Sequence, residues 1–266
     1  MRYEDIDAVN ASTLKVLWRQ SPKHYQEVLR TPRKETPALA LGIAAHMAIL
    51  EPMRYARHYA IRPEGLDGRT AAGKAWLAQY GHLPTLTHEQ HGLCLAMQTA
   101  VEAHPVAAGL LGPGQVERIL QWTDEETGVA CKGRLDLVLK DGTLVDLKTA
   151  RDVSPRVFGA QAAKLGYHFS LAFYRDGLAT LGCAPRRVFI VAVESVPPHD
   201  VVAYRVPEEV LDRGRDEYRN TLVRLVECRN TGRWPGQGED ECTLEFPRWA
   251  IGDDDLLEGA SWEAVP

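Results

Sequence analysis

Asp136, Asp146 and Lys148 are the residues of this 266-residue sequence whose types and spacing most clearly suggest chemistry. They lie on two β-like runs, Val129 to Leu139 and Thr143 to Thr149, joined by Lys140, Asp141 and Gly142. Alternation puts Val129, Cys131, Gly133, Leu135, Leu137 and Leu139 on one face of the first run, and Lys132, Arg134, Asp136 and Val138 on the other. In the second run Thr143, Val145 and Leu147 take one face while Leu144, Asp146 and Lys148 take the other. A two-residue Asp-Gly loop would set Asp136 against Leu147 and mix charge with core. A three-residue loop closed by a left-handed glycine instead pairs Leu137 with Val145 and Leu135 with Leu147, which keeps the apolar residues together. That register sets Asp136 opposite Asp146, and Arg134 opposite Lys148. Like charges facing each other weaken a ladder, so the pattern has two readings. Either the carboxylates form solvated or diagonal salt bridges with Arg134 and Lys148, or they hold a divalent cation, for which oxygen ligation favours Mg²⁺ or Mn²⁺ over Zn²⁺.

The elements around these strands follow from local signals. Ser21 and Pro22 read as an N-cap followed by proline at the first helical position, and Thr87 to Gln90 as a capping box opening a helix to about His104. Ala38 to Leu50 is apolar nearly all round, which predicts a buried helix. Gln115 to Trp122 precedes the two chemical strands. After them come a helical stretch from Ser154 to Leu181 with a break near Gly166, strands at Arg187 to Ser195 and Val201 to Val206, and a closing helix from Pro207 to Arg229. The order predicts an α/β fold, a mixed β-sheet flanked by helices, with a helical N-terminal elaboration. Residues 1–238 read as a single domain, helical over 1–110 and α/β over 111–238, followed by an acidic tail at 239–266.

Composition excludes several classes. Hydrophobic residues make up 45% of the chain and charged ones 25%, which suits a globular core and not a disordered or fibrous chain. No run approaches the roughly 20 apolar residues of a membrane span, and the five scattered cysteines form no C-x-x-C pair, so the expectation is a soluble, cytoplasmic protein without an iron–sulfur cluster. The net charge of -5 hides an asymmetry: residues from Glu239 onward hold nine acids against Arg248, leaving 30 Lys and Arg against 27 Asp and Glu in the body. A modestly basic groove fits this balance, whereas a strongly basic DNA coat does not.

Taken together, Glu117, the Gly133-Arg134-Leu135-Asp136 run and Val145-Asp146-Leu147-Lys148-Thr149 resemble the core of PD-(D/E)xK (restriction-endonuclease-like) nucleases, with Leu135 where the name has proline. Gly42 to His46 is similar to the helical G-x-x-x-H motif of the RecB-like branch. Gly166 to Gly177 resembles that branch's Y-H-x-Q-x-x-x-Y helix, with Ser170 in place of glutamine. The opening Asn10 to Lys15, with Ser21, Pro22, His24 and Tyr25, is similar to exonuclease VIII (RecE-type) domains of phages and prophages.

The resemblance implies a Mg²⁺-dependent exodeoxyribonuclease, with Mn²⁺ as a substitute. In it Asp136, Asp146, His46 and the Leu147 carbonyl are metal ligands, Glu117 an outer ligand, and Lys148 the residue that orients or deprotonates water. Arg134, Lys132, Thr149, Tyr174 and Ser170 are the implied DNA contacts. The implied substrate is a double-stranded DNA end, resected from the 5′ end to leave a 3′ overhang for a single-strand annealing protein. A cyclic homo-oligomer, a trimer or tetramer, is expected, with no membrane partner. The alternatives are a RecB-type or CRISPR-associated-like nuclease of other polarity, and a DNA-end-binding subunit without catalysis.

Overall fold

The computed structural model describes residues 2–31 and 36–246. The N-terminal half contains α1 (Ala11–Arg19), α2 (Pro22–Arg30), α3 (Pro37–Leu50), α4 (Pro52–His58), β1 (Ala60–Ile61), α5 (Ala71–Tyr80), β2 (Thr85–Leu86), α6 (His88–Ala103) and α7 (Pro105–Leu110). Asn10, Ser21, Thr36, Thr70 and Thr87 each accept an N–H from the first turn of the helix they precede. The anticipated capping box is formed by Thr87 and Gln90. Such caps satisfy amides that have no partner within the helix.

The second half runs β3 (Gly114–Thr123), β4 (Ala130–Leu139), β5 (Leu144–Ala150), α8 (Pro155–Leu165), α9 (Tyr167–Thr180), β6 (Val188–Glu194), β7 (Val201–Arg205) and α10 (Glu208–Thr231). These strands form one five-stranded sheet in chain order, antiparallel except where β5 and β6 pair in parallel. The parallel pair requires a crossover, which α8 and α9 supply. Gly166 divides those helices at φ +63°, and a Cβ there would lie 2.8 Å from the Trp18 ring, so backbone and packing both call for glycine.

The sheet separates two cores. Leu137, Val145, Leu147, Val191 and Val193 pack with buried residues of α3, α6 and α7, whereas Leu144, Val188, Ile190 and Ala192 pack with those of α1, α9 and α10. Each of these valine, leucine and isoleucine side chains contributes about 1.5–3 kcal/mol relative to exposure. Alternation holds through β5 and β6 but slips in β4, where Cys131 and Leu135 belong to the second core and Leu137 to the first. This corrects the single apolar face expected from Val129 to Leu139. At the slip Glu117 takes φ +51°, and Glu117 and Asp136 are left out of a ladder that pairs the residues on either side in unchanged register.

The loop of Lys140, Asp141 and Gly142 forms as expected, with Gly142 at φ +83° and its N–H donating to the Leu139 carbonyl. Leu137 faces Val145, but the ladder contains only that pair and Val138 with Leu144. The expected pairing of Leu135 with Leu147, and with it Asp136 against Asp146 and Arg134 against Lys148 as ladder partners, does not form.

Helix α3 also departs from expectation. Ala44, Ala45, Ala48 and Ile49 are buried, but Ile43 is 45% exposed, because that side of the helix forms the wall of an open cleft. The chain continues past α10 to stack Trp234 on Tyr25 and donate the Lys23 N–H to the Pro235 carbonyl. The acidic tail beyond residue 246, with Trp249, Leu256, Leu257 and Trp262, lies outside the described residues. No described helix is long and apolar enough to cross a membrane.

Candidate active site

The cleft beside α3 has a volume of about 480 Å³ and is walled by β3, β4 and β5 on its other sides. His46, Glu117, Arg134, Asp136, Lys148 and Thr149 line it. Asp136 sits where the ladder between β4 and β5 has stopped. Its Oδ2 accepts the Leu147 N–H at 2.8 Å, so a carboxylate does what a strand carbonyl would have done.

Lys148 draws the remaining groups together. Its ammonium ion-pairs with Asp146, donates to the Leu147 carbonyl at 3.1 Å, and lies 4.0 Å from Asp136 Oδ2. His46 Nδ1 is 3.8 Å from the same Asp136 oxygen. Burial opposes the charge on Lys148, but Asp146 and then Asp136 outweigh it and hold the amine above the ordinary lysine range. Burial, reinforced by Lys148, pushes His46 down to about 4, which leaves a neutral imidazole at pH 7. Asp146 is raised by burial and by Asp136, against the pull of Lys148.

These groups suit a hard divalent cation. Among the described residues no three His, Cys, Asp or Glu side chains are already gathered as a metal cage. The lysine ammonium nevertheless lies against Asp146, the Leu147 carbonyl and Asp136, three of the expected ligands, and stands in for a cation among them. The carboxylates and the carbonyl are hard oxygen ligands of the kind a divalent cation takes, and a neutral imidazole is also a metal ligand.

The other expected residues separate into those at the cleft and those away from it. Glu117 pairs with Arg134 at 2.9 Å, and burial raises its carboxyl. Thr149 faces Gly42, where a Cβ would lie 3.5 Å from the threonine hydroxyl. Tyr174 packs on Gly133, leaving only 3.0 Å for a Cβ, and lines a second groove that also reaches Arg134. Ser170 lines neither space and turns its hydroxyl back to the Gly166 carbonyl at 3.5 Å. Lys132 is buried, its ammonium spent on the carbonyls of Tyr3 and Ile6, so the expected phosphate contact is replaced by a structural one. His168 bonds Glu217 at 2.8 Å and ties α9 to α10.

Glu51 and Arg54, which pair with each other and line the cleft, escaped the sequence reading, and Tyr167, the first tyrosine of the Y-H-x-Q-like run, places its ring 5.4 Å from the Lys148 ammonium. Glu51 caps the C-terminus of α3, five residues beyond His46, a separation that does not place the two on one helix face and so gave no signal.

The family described as "PDDEXK-like domain of unknown function (DUF3799)" matches residues 10–245. The chain belongs to this family. A PDDEXK-like fold accounts for the strand order, and for acids and a lysine presented where two strands part. The solved structure of a protein from Eubacterium rectale, described as a candidate exonuclease, is similar over 98% of this chain and 99% of its own, with a TM-score of 0.65 at 15% identity. A phage-related exonuclease from Haemophilus somnus 129PT is similar over 85% of this PDDEXK-like chain and 96% of its own, with a TM-score of 0.36 at 12% identity. A comparison with curated proteins finds no match.

Proposed function

We propose that the protein is a divalent-metal-dependent exodeoxyribonuclease that resects one strand of duplex DNA from its 5′ end. The observation that carries this reading is the convergence of Asp136, Asp146 and the Leu147 carbonyl on the Lys148 ammonium, with His46 Nδ1 3.8 Å from the same Asp136 oxygen. The two carboxylates, the imidazole and the carbonyl would hold Mg²⁺ or Mn²⁺, with Glu117 as an outer contact. The metal would neutralise phosphate charge and acidify a bound water. Asp136 is held in place by the Leu147 amide, which fixes one ligand before any cation arrives. Lys148 would serve as a cation toward phosphate and would orient or deprotonate the water, its basicity lowered by the field of a metal held on the same carboxylates. Arg134 and Thr149 line the cleft as phosphate contacts.

The polarity and the 3′ overhang handed to an annealing protein rest on the RecE-type resemblance. A ring of three or four subunits fits the charge balance: a body with 30 cations against 27 acids makes few phosphate contacts, and these weaken as salt rises. Long resection then needs topological attachment. The decisive experiment incubates the protein with linear duplex labelled at either end, in Mg²⁺ or in EDTA. Early release of 5′ label, only with metal and only from linear DNA, is the expected result. DNA-end binding without any cleavage in Mg²⁺ or Mn²⁺ would instead identify a non-catalytic end-binding subunit.

A further inference from the structure

The segment preceding α1 is fastened to β4 by both backbone and side chain. The Val9 N–H donates to the Ala130 carbonyl at 2.9 Å, and the Lys132 N–H to the Val9 carbonyl at 2.7 Å. The Lys132 ammonium then donates to the carbonyls of Tyr3 at 3.0 Å and Ile6 at 2.8 Å. A buried ammonium is costly unless its donors are satisfied, and here neutral carbonyls of a distant segment satisfy it. The position of that segment is therefore tightly specified.

Its consequence is felt at Arg134. The Tyr3 ring lies 5.5 Å from the guanidinium carbon, while the Nε of the same group pairs with Glu117 at 2.9 Å. Arg134 is thus held between an aromatic ring and a carboxylate, yet its side chain remains half exposed. It lines both the cleft and an adjoining groove of about 960 Å³, to which Tyr3 and Tyr174 also contribute. The guanidinium stands at the boundary of the two spaces.

We propose that Tyr3 is a positioning residue of the candidate site: its ring holds the Arg134 guanidinium where it takes the phosphate of a DNA strand passing between the cleft and the groove. The inference rests on the nuclease reading and deepens it by giving the strand a path. The ring is the working part of Tyr3 and the hydroxyl is dispensable. Leucine would fill much of the same space without the aromatic face, and so separates packing from positioning.

The test is a double-mutant cycle on the affinity of the 266-residue protein for a fluorescein-labelled duplex, measured by anisotropy with Ca²⁺ as the metal. Tyr3→Phe binds as the wild type does, and Tyr3→Leu binds about fivefold more weakly, with some loss of melting temperature because the ring also lies 4.7 Å from the buried Lys132 ammonium. Arg134→Ala also weakens binding, and in that background Tyr3→Leu adds nothing further. Wild-type affinity in Tyr3→Leu, or losses that simply add in the double variant, would overturn the inference. A wild type that fails to bind duplex at all would bring down the nuclease reading and the strand path with it. Intact wild-type binding without a tyrosine effect would remove the inference alone.

Discussion

The two edges of β5 are built to different standards. Along one, all seven residues from Leu144 to Ala150 pair in register with β6. Along the other, pairing with β4 stops after Leu144 and Val145, and the gap beyond is filled by the Asp136 carboxylate on the Leu147 amide. One strand thus serves as scaffold on one side and as site on the other. The cleft is made by withholding backbone pairing where charge is needed, and the continuous ladder to β6 keeps β5 in place while its opposite edge is opened.

Substitutions on the two sides should therefore fail differently. Asp146→Asn should reduce cleavage by roughly 10³-fold or more, since it removes a charge the transition state needs. Its folding stability should stay within about 1 kcal/mol of the wild type, because Asp136 remains to pair with Lys148 and two crowded carboxylates become one. Ile190→Ala, on the laddered side and 5% exposed, should do the reverse. It should cost about 2–5 kcal/mol in urea denaturation while each folded molecule cuts at the normal rate. Equal stability losses for the two variants would erase the distinction between the edges.

A smaller effect concerns pH. His46 titrates near 6.5 when unfolded and at about 4 in the metal-free fold, so below 6.5 the unfolded chain binds a proton that the native site refuses. Its contribution is complete above about pH 6.5 and is lost as pH falls toward 4. Asp146, raised in the fold, contributes in the opposite direction, so the comparison must be with a variant lacking only the imidazole. In EDTA, between pH 7 and 5, the wild type should lose about 1–2 kcal/mol more than His46→Gln. Parallel curves would mean that the imidazole is as accessible to protons in the fold as in the unfolded chain.

The sequence made the hairpin legible because Lys140, Asp141 and Gly142 admit few turns and the apolar residues admit few registers. It made Asp136, Asp146 and Lys148 legible as a cluster because their spacing survives local distortion. What it concealed was the slip at Glu117. Counting alternate residues assumes an uninterrupted ladder, and nothing in Val116-Glu117-Arg118 announces a left-handed residue. Lys132 misled for a different reason. A lysine beside Arg134 reads as a surface cation until a segment 129 residues away is folded onto it. The part of the site contributed by Tyr3 was hidden by the same distance.

The withheld pairing has meaning only if a cation belongs between the carboxylates, and calorimetric titration of Mn²⁺ into DNA-free protein addresses this most directly. Wild type should bind Mn²⁺, and Asp136→Asn and Asp146→Asn should each bind at least about tenfold more weakly while melting as cooperatively as the wild type. Unchanged Mn²⁺ affinity in both variants would contradict the site, and would leave the parting of β4 from β5 as a structural irregularity bridged by Lys148.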